Sequence, residues 1–158
     1  MPQAIGEITD LPLTVVNTHG HCDHTHGNYL FESVYLSEKD KEVFNRHNDP
    51  EVIQEILDQV PFLIRLLAKP STDRTLSVPV PPPTKPLPEE GYFELGDRLV
   101  RIIETPGHTP GSISLLDEKN DILFAGDTIV GHGMLLNQPE SSDVESFRDI
   151  IYMLEDLA

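Results

Sequence analysis

The chain has 158 residues, 38% hydrophobic and 24% charged, which is enough apolar matter for one domain with its own core and too much for a disordered chain. Its 27 acidic against 11 basic side chains leave a formal net charge of −16, a balance that keeps a surface solvated and repels phosphate backbones, so nucleic acid is excluded as an expected partner. One cysteine, Cys22, rules out an intrachain disulfide, no apolar run approaches a membrane span, and the first ten residues lack a cationic segment followed by an apolar one, so the expectation is a cytoplasmic protein that uses no membrane.

Leu11 to Val16 is a short apolar run with two valines and reads as a buried strand leading into Asn17-Thr18-His19-Gly20. Ser33 to Leu36 reads as a second strand. Ser37 with Asp40 three residues later has the spacing of a capping box, which predicts a helix from there to His47. Asn48-Asp49-Pro50 predicts a further helix start, with Asp49 as cap and Val52, Ile53, Ile56, Leu57 and Val60 at helical spacing. Phe62 to Leu67 continues the apolar character and reads either as a lid over a site or as an ordinary core helix. Residues 78–88 are rich in proline and predict an extended connector rather than a helix or a central strand. Two hairpins follow, Tyr92–Leu95 with Leu99–Ile103, and Ile113–Leu116 with Ile122–Ala125. Asp143 is placed to cap a last helix carrying Val144, Phe147, Ile150, Ile151 and Leu154 on one face. This order gives a mixed α/β (α+β) domain.

Four of the seven histidines fall between His19 and His26, in the segment His19-Gly20-His21-Cys22-Asp23-His24. Imidazoles and a carboxylate this close together, on a loop after a strand, suit zinc or another borderline divalent ion; the alternative is a histidine-rich surface loop. Thr105-Pro106-Gly107-His108-Thr109-Pro110-Gly111-Ser112 places another histidine in a loop whose prolines and glycines fix its backbone. Phe124-Ala125-Gly126-Asp127-Thr128 places an aspartate directly after an apolar strand. Taken singly, His108 reads more readily as structural and Asp127 as a turn or cap. His47 lies near the end of a predicted surface helix, outside all three motifs, and is expected to take no part in metal binding.

Together the three segments resemble those of the metallo-β-lactamase-fold hydrolases, a family that includes glyoxalase II, lactonases and zinc β-lactamases, from about Val15 onward. The resemblance implies a four-layer αββα sandwich with the site at one edge between the sheets. It implies that His19, His21 and His108 hold one metal, that Asp23 and His24 hold a second, and that Asp127 bridges the two. Asp127 stands where the best-known zinc β-lactamase subclass has cysteine, and His21 where the flavin-linked diiron branch has glutamate, so both branches are disfavoured. His26 occupies a position where glycine is common in the family and is expected to be solvated; Cys22 is expected to pack rather than ligate. The family's last second-metal histidine has no counterpart beyond His132, so the second position is expected to be under-liganded. The chain is expected to be a single domain over 1–158 shortened at both ends, with a helical insertion over residues 38–69 and the proline-rich connector after it.

The activity implied is metal-dependent hydrolysis, in which a metal-bound hydroxide attacks an ester, thioester, lactone or amide carbonyl. Zinc is the expected metal, with iron or manganese as alternatives, Asp23 and Asp127 are the expected catalytic carboxylates, and the partner is a small-molecule substrate. Two other readings stand beside it: a mononuclear-iron oxidoreductase resembling persulfide dioxygenases, using His19, His108 and Asp127, and a metal-binding domain without catalysis. Uncovered sheet surface predicts a homo-oligomer.

Overall fold

The computed structural model describes residues 2–59, 80–131, 133 and 136–157. In chain order these form α1 (Pro2–Gly6), α2 (Cys22–Thr25), β1 (Val34–Tyr35), α3 (Lys41–His47), α4 (Pro50–Gln59), β2 (Thr84–Lys85), β3 (Tyr92–Glu94), β4 (Leu99–Glu104), β5 (Ile113–Asp117), β6 (Ile122–Phe124) and α5 (Val144–Glu155). No described helix is long and apolar enough to cross a membrane.

Both predicted hairpins are present and join into one antiparallel sheet in the order β3-β4-β5-β6. The first turn uses Gly96 at φ 75°, a conformation open to glycine at no steric cost. At the second, Asp117 accepts from the Asn120 side chain at 2.8 Å and from Arg98 Nη1 at 2.7 Å, which closes the turn and ties it to the start of β4. From residue 80 on, the proline-rich connector contains no helix, as expected, and within it Thr84–Lys85 pairs in parallel with β1. Proline cannot donate to a ladder, which confines such a segment to an edge, and β2 has one strand neighbour. The two sheets meet through the Tyr35 and Phe93 rings, whose centroids lie 5.1 Å apart edge to face.

The run before the histidine cluster is not the buried strand expected. Leu11 and Leu13 are 74% and 52% exposed, and pairing is limited to the Val16–Tyr35 bridge, with Asn17 N–H donating to Tyr35 O and Tyr35 N–H to Val15 O. The apolar run therefore binds the sheet only at its last residues, where it has a partner strand. Asp49 does cap α4, accepting from Glu51 N–H at 2.8 Å, and Ile53 is buried. The predicted apolar stretch Phe62–Leu67, like residues 60–79 as a whole, lies outside the described residues. Asp143 caps α5 through Ser146 N–H, and Phe147 and Leu154 are buried, but Val144, expected on the same face, is 67% exposed. Phe147 sits over the second histidine loop so closely that a Cβ at Gly107 would lie 2.3 Å from its ring.

The capping box is also replaced. Ser37 makes no side-chain cap; Glu38–Asp40 is a 3-10 turn, and the Asp40 side chain turns inward, fully buried. Its Oδ2 accepts from Gly20 N–H at 2.6 Å and Thr109 Oγ1 at 2.8 Å, and its Oδ1 from Gly111 N–H at 2.6 Å. One buried carboxylate thus joins the first histidine loop to the second. The approach requires glycine on both sides: a Cβ at Gly20 would lie 2.7 Å from Phe44 N, and one at Gly111 2.6 Å from Asp40 N.

Replacing Asp40 by alanine leaves two buried backbone donors, Gly20 N–H and Gly111 N–H, unpaired, each costing about 1–3 kcal/mol, while the Thr109 hydroxyl keeps Ser112 Oγ at 2.8 Å. Asp40→Ala is therefore expected to lose at least about 2 kcal/mol of folding stability, read from urea denaturation; a loss under about 1 kcal/mol would show that water replaces the carboxylate at little cost.

Candidate metal centre

The first loop is held from both ends before any metal is considered. Ile113 N–H donates to Thr18 O at 2.8 Å, fixing the loop to β5. The Asn17 and Asn28 amides pair at 2.7 Å, and Asn17 Nδ2 reaches His24 O at 3.3 Å, which closes the turn around α2. The Asp127 loop is held by buried hydroxyls, Thr128 to Thr105 at 3.0 Å and Thr105 to Ser114 at 3.2 Å. Gly126 has φ 53°, and a Cβ there would meet Thr18 Oγ1 at 2.6 Å, so the two loops touch backbone to side chain.

These loops bring His19, His21 and His108 together, all buried, with one nitrogen of each within 4.8 Å of the others. His21 Nδ1 and His108 Nε2 face each other at 2.9 Å. His19 is 1% exposed and its Nε2 has no hydrogen-bond partner. A buried imidazole nitrogen without a partner is costly in an apolar protein and natural in a metal site, and three convergent imidazoles are a donor set that suits zinc. Burial, and then the neighbouring His24, His21, His108 and His47, hold the His19 pKa down at about 2.

A second group shares His19 and adds His24 and Asp127. His24 Nε2 lies 3.2 Å from Asp127 Oδ1, while Asp127 Oδ2 lies 3.5 Å from His108 Nε2. The two carboxylate oxygens thus point one toward each group, the placement a bridging ligand needs. Asp23 stands at the rim, 73% exposed, with Oδ2 3.7 Å from His24 Nε2. His26 is exposed, and Cys22 is half-buried with its thiol pKa raised by burial and then by Asp23. His132 lies outside the described residues.

His47 does not sit on an open surface helix as expected. Its ring lies 4.5 Å from that of His21, its side chain is 14% exposed, and burial, then His21 and Arg46, lower its pKa. Both rings adjoin Glu140, whose Oε1 is 2.8 Å from His21 Nε2 and 3.7 Å from His47 Nε2, and whose Oε2 pairs with Arg46 at 2.7 Å. Burial works to raise the Glu140 pKa, but the hydrogen bonds from His21 and Arg46 outweigh it and hold the carboxyl at about 2. Glu140, Arg46 and Asp40 are the residues around the centre that the motifs do not reveal, because each acts on a partner far away in the chain.

A family model described as Metallo-beta-lactamase superfamily matches residues 12–156. The chain is 33% identical over 118 residues to an acyl-coenzyme A thioesterase of Homo sapiens, covering 75% of this chain and 42% of that protein. It is 34% identical over 155 residues to a probable metallo-hydrolase of Methanocaldococcus jannaschii, covering 96% of this chain and 65% of that one. A hydroxyacylglutathione hydrolase of Rhizobium etli is 28% identical over 146 residues, covering 91% and 45% respectively. The chain thus spans less than two thirds of the length of each of these curated relatives. The crystal structure of TTHA1623 in a di-iron-bound form superposes with a TM-score of 0.68 at 22% identity, over all of this chain and 73% of that one, a likeness of fold.

His19→Ala and His108→Ala are each expected to purify with less than about half the metal of the unaltered protein, and His26→Ala with an unchanged content, by elemental analysis after desalting; equal loss in all three would point to general destabilisation. The metal-free protein has its own pH dependence. His19 stays neutral when folded but takes a proton when unfolded, so its contribution is intact above about pH 6.5 and declines as pH falls from there toward about 2. Denaturation midpoints of the metal-free protein at pH 7.5 and pH 5 (conditions either side of the unfolded histidine pKa of about 6.5) check that direction.

Proposed function

The chain belongs to the metallo-beta-lactamase superfamily, and we propose that it is a metal-dependent hydrolase, with zinc its working metal and a thioester its substrate. The observation that carries the reading is the unpartnered Nε2 of buried His19, converging with His21 Nδ1 and His108 Nε2. His19, His21 and His108 are assigned to the first ion; His24, Asp23 and Asp127 to the second, with Asp127 between them. When bound, the metal brings the pKa of water down to about 7 and polarises a carbonyl oxygen.

The protein's own groups do the rest. Burial holds the His19 pKa low and so keeps its nitrogen neutral and available, and the inward position of His19 and His108 excludes bulk water behind the site. Asp127, one quarter exposed, presents its carboxylate to both groups, and exposed Asp23 faces the side from which substrate enters and is placed to take a proton from the attacking water. The thioester preference is supported by the relatives named an acyl-coenzyme A thioesterase and a hydroxyacylglutathione hydrolase, both of which describe removal of an acyl group from a thiol carrier. A thiolate leaves without the strong acid that an alkoxide or amine needs.

Release of free thiol from acyl-coenzyme A and acylglutathione substrates, followed with a thiol reagent, tests this. Activity is expected to disappear on chelation, to return with zinc, and to fall about 100-fold or more in Asp127→Ala. Activity that survives chelation, or iron content coupled to oxygen consumption, would overturn it.

With Asp127 counted for both, the described residues offer the first ion four protein ligands and the second three, so we expect the first position to fill before the second. Titration with zinc in a calorimeter is expected to show two unequal steps. Leu99, Ile122 and Phe124, each about half exposed on the four-stranded sheet, support self-association, which light scattering on the same samples checks.

A further inference from the structure

Beside the two groups assigned above, Glu140 gathers a further set of charged and metal-ligating side chains, Arg46, His21 and His47. Glu140 is 7% exposed at its side chain and lies between Arg46 and His21. Its loop is fixed to the second histidine loop: Ser141 Oγ donates to His108 O at 3.0 Å, and Ser142 N–H to Gly107 O at 2.8 Å. Arg46 and His47 close α3. The three elements meet on the face of His21 opposite the proposed metal.

We propose that Glu140, held by Arg46, is a positioning residue that fixes the tautomer of His21 and so prepares its Nδ1 for the metal. An ionised carboxylate only accepts hydrogen bonds, so at 2.8 Å the hydrogen must sit on His21 Nε2. A neutral imidazole carries one such hydrogen, which leaves Nδ1 with its lone pair, and Nδ1 is the atom facing His108. Arg46 at 2.7 Å from Oε2 keeps the carboxylate oriented and supplies the charge that its burial demands. The same guanidinium argues against a further cation bound among His21, His47 and Glu140.

The inference rests on the proposed metal site but not on the proposed substrate, and its test uses none. Ring-nitrogen NMR shifts of the protein, metal-free and after loading with zinc alone, are expected to show His21 with hydrogen on Nε2 in both. Glu140→Ala is expected to mix the His21 tautomers and weaken zinc about 10- to 100-fold in competition with a chromophoric chelator. Glu140→Gln, which keeps an acceptor oxygen, is expected to restore the tautomer and most of the affinity; Glu38→Ala, which removes an exposed carboxylate paired with Lys41, is expected to change neither. A His21 hydrogen on Nδ1 in the unaltered protein, or unchanged zinc affinity in Glu140→Ala, would overturn the proposal. The unaltered protein and Glu140→Gln decide the matter even where Glu140→Ala does not fold, and lack of thioesterase activity would leave the tautomer result standing.

Discussion

A carboxylate removed from water has to be met by donors, and at Asp40 those donors come from two loops far apart in sequence. Gly20 on one side and Thr109 and Gly111 on the other converge on its two oxygens. The imidazoles that form the centre, His19, His21 and His108, are immediate neighbours of these donors in the chain. Their convergence therefore follows from satisfying a buried charge rather than from packing of apolar side chains, which are few near the site.

The histidine loops illustrate how polar groups can order a region that a hydrophobic core does not reach. The Asn17–Asn28 pair, the hydroxyl ladder through Thr105, Ser114 and Thr128, and the Asp40 bonds are all buried and internally matched. Each such network is costly when half formed, which favours one arrangement over near alternatives. The sheet and α5 supply the apolar support: Ile103 and Ile113 are buried, and Phe147 packs against Gly107 of the second histidine loop.

Much of this was legible in the sequence. The hairpins were marked by alternation and turn residues, α4 by Asp49-Pro50, α5 by Asp143, and the ligand candidates by three local motifs. Local signals failed where a residue's partner is distant. Ser37 and Asp40 have capping-box spacing, yet the stronger demand on Asp40 came from Gly20 and Gly111, which no window of the sequence contains. Leu11 and Leu13 have the composition of a strand but lack a neighbour to pair with. His47 ends a helix that reads as superficial, and only the fold places the Glu140 loop beside it. Periodicity reports which side of an element is apolar, not what is brought against its ends.

α3 touches the centre at both of its ends. Asp40 precedes its first turn and holds the two histidine loops, while Arg46 and His47 in its last turn reach Glu140 and the ring of His21. The helix is seven residues long, and an α-helix advances about 1.5 Å and turns about 100° with each residue. Adding or deleting one residue between Asp40 and Arg46 would swing one end through more than a quarter turn relative to the other, so that either the loops or the Glu140 cluster would lose its partner. Substitutions on the outer side of α3, at Glu42 or Asn45, change nothing in that spacing. Among homologous chains, length between these two positions should consequently vary far less than the identity of the residues that fill it.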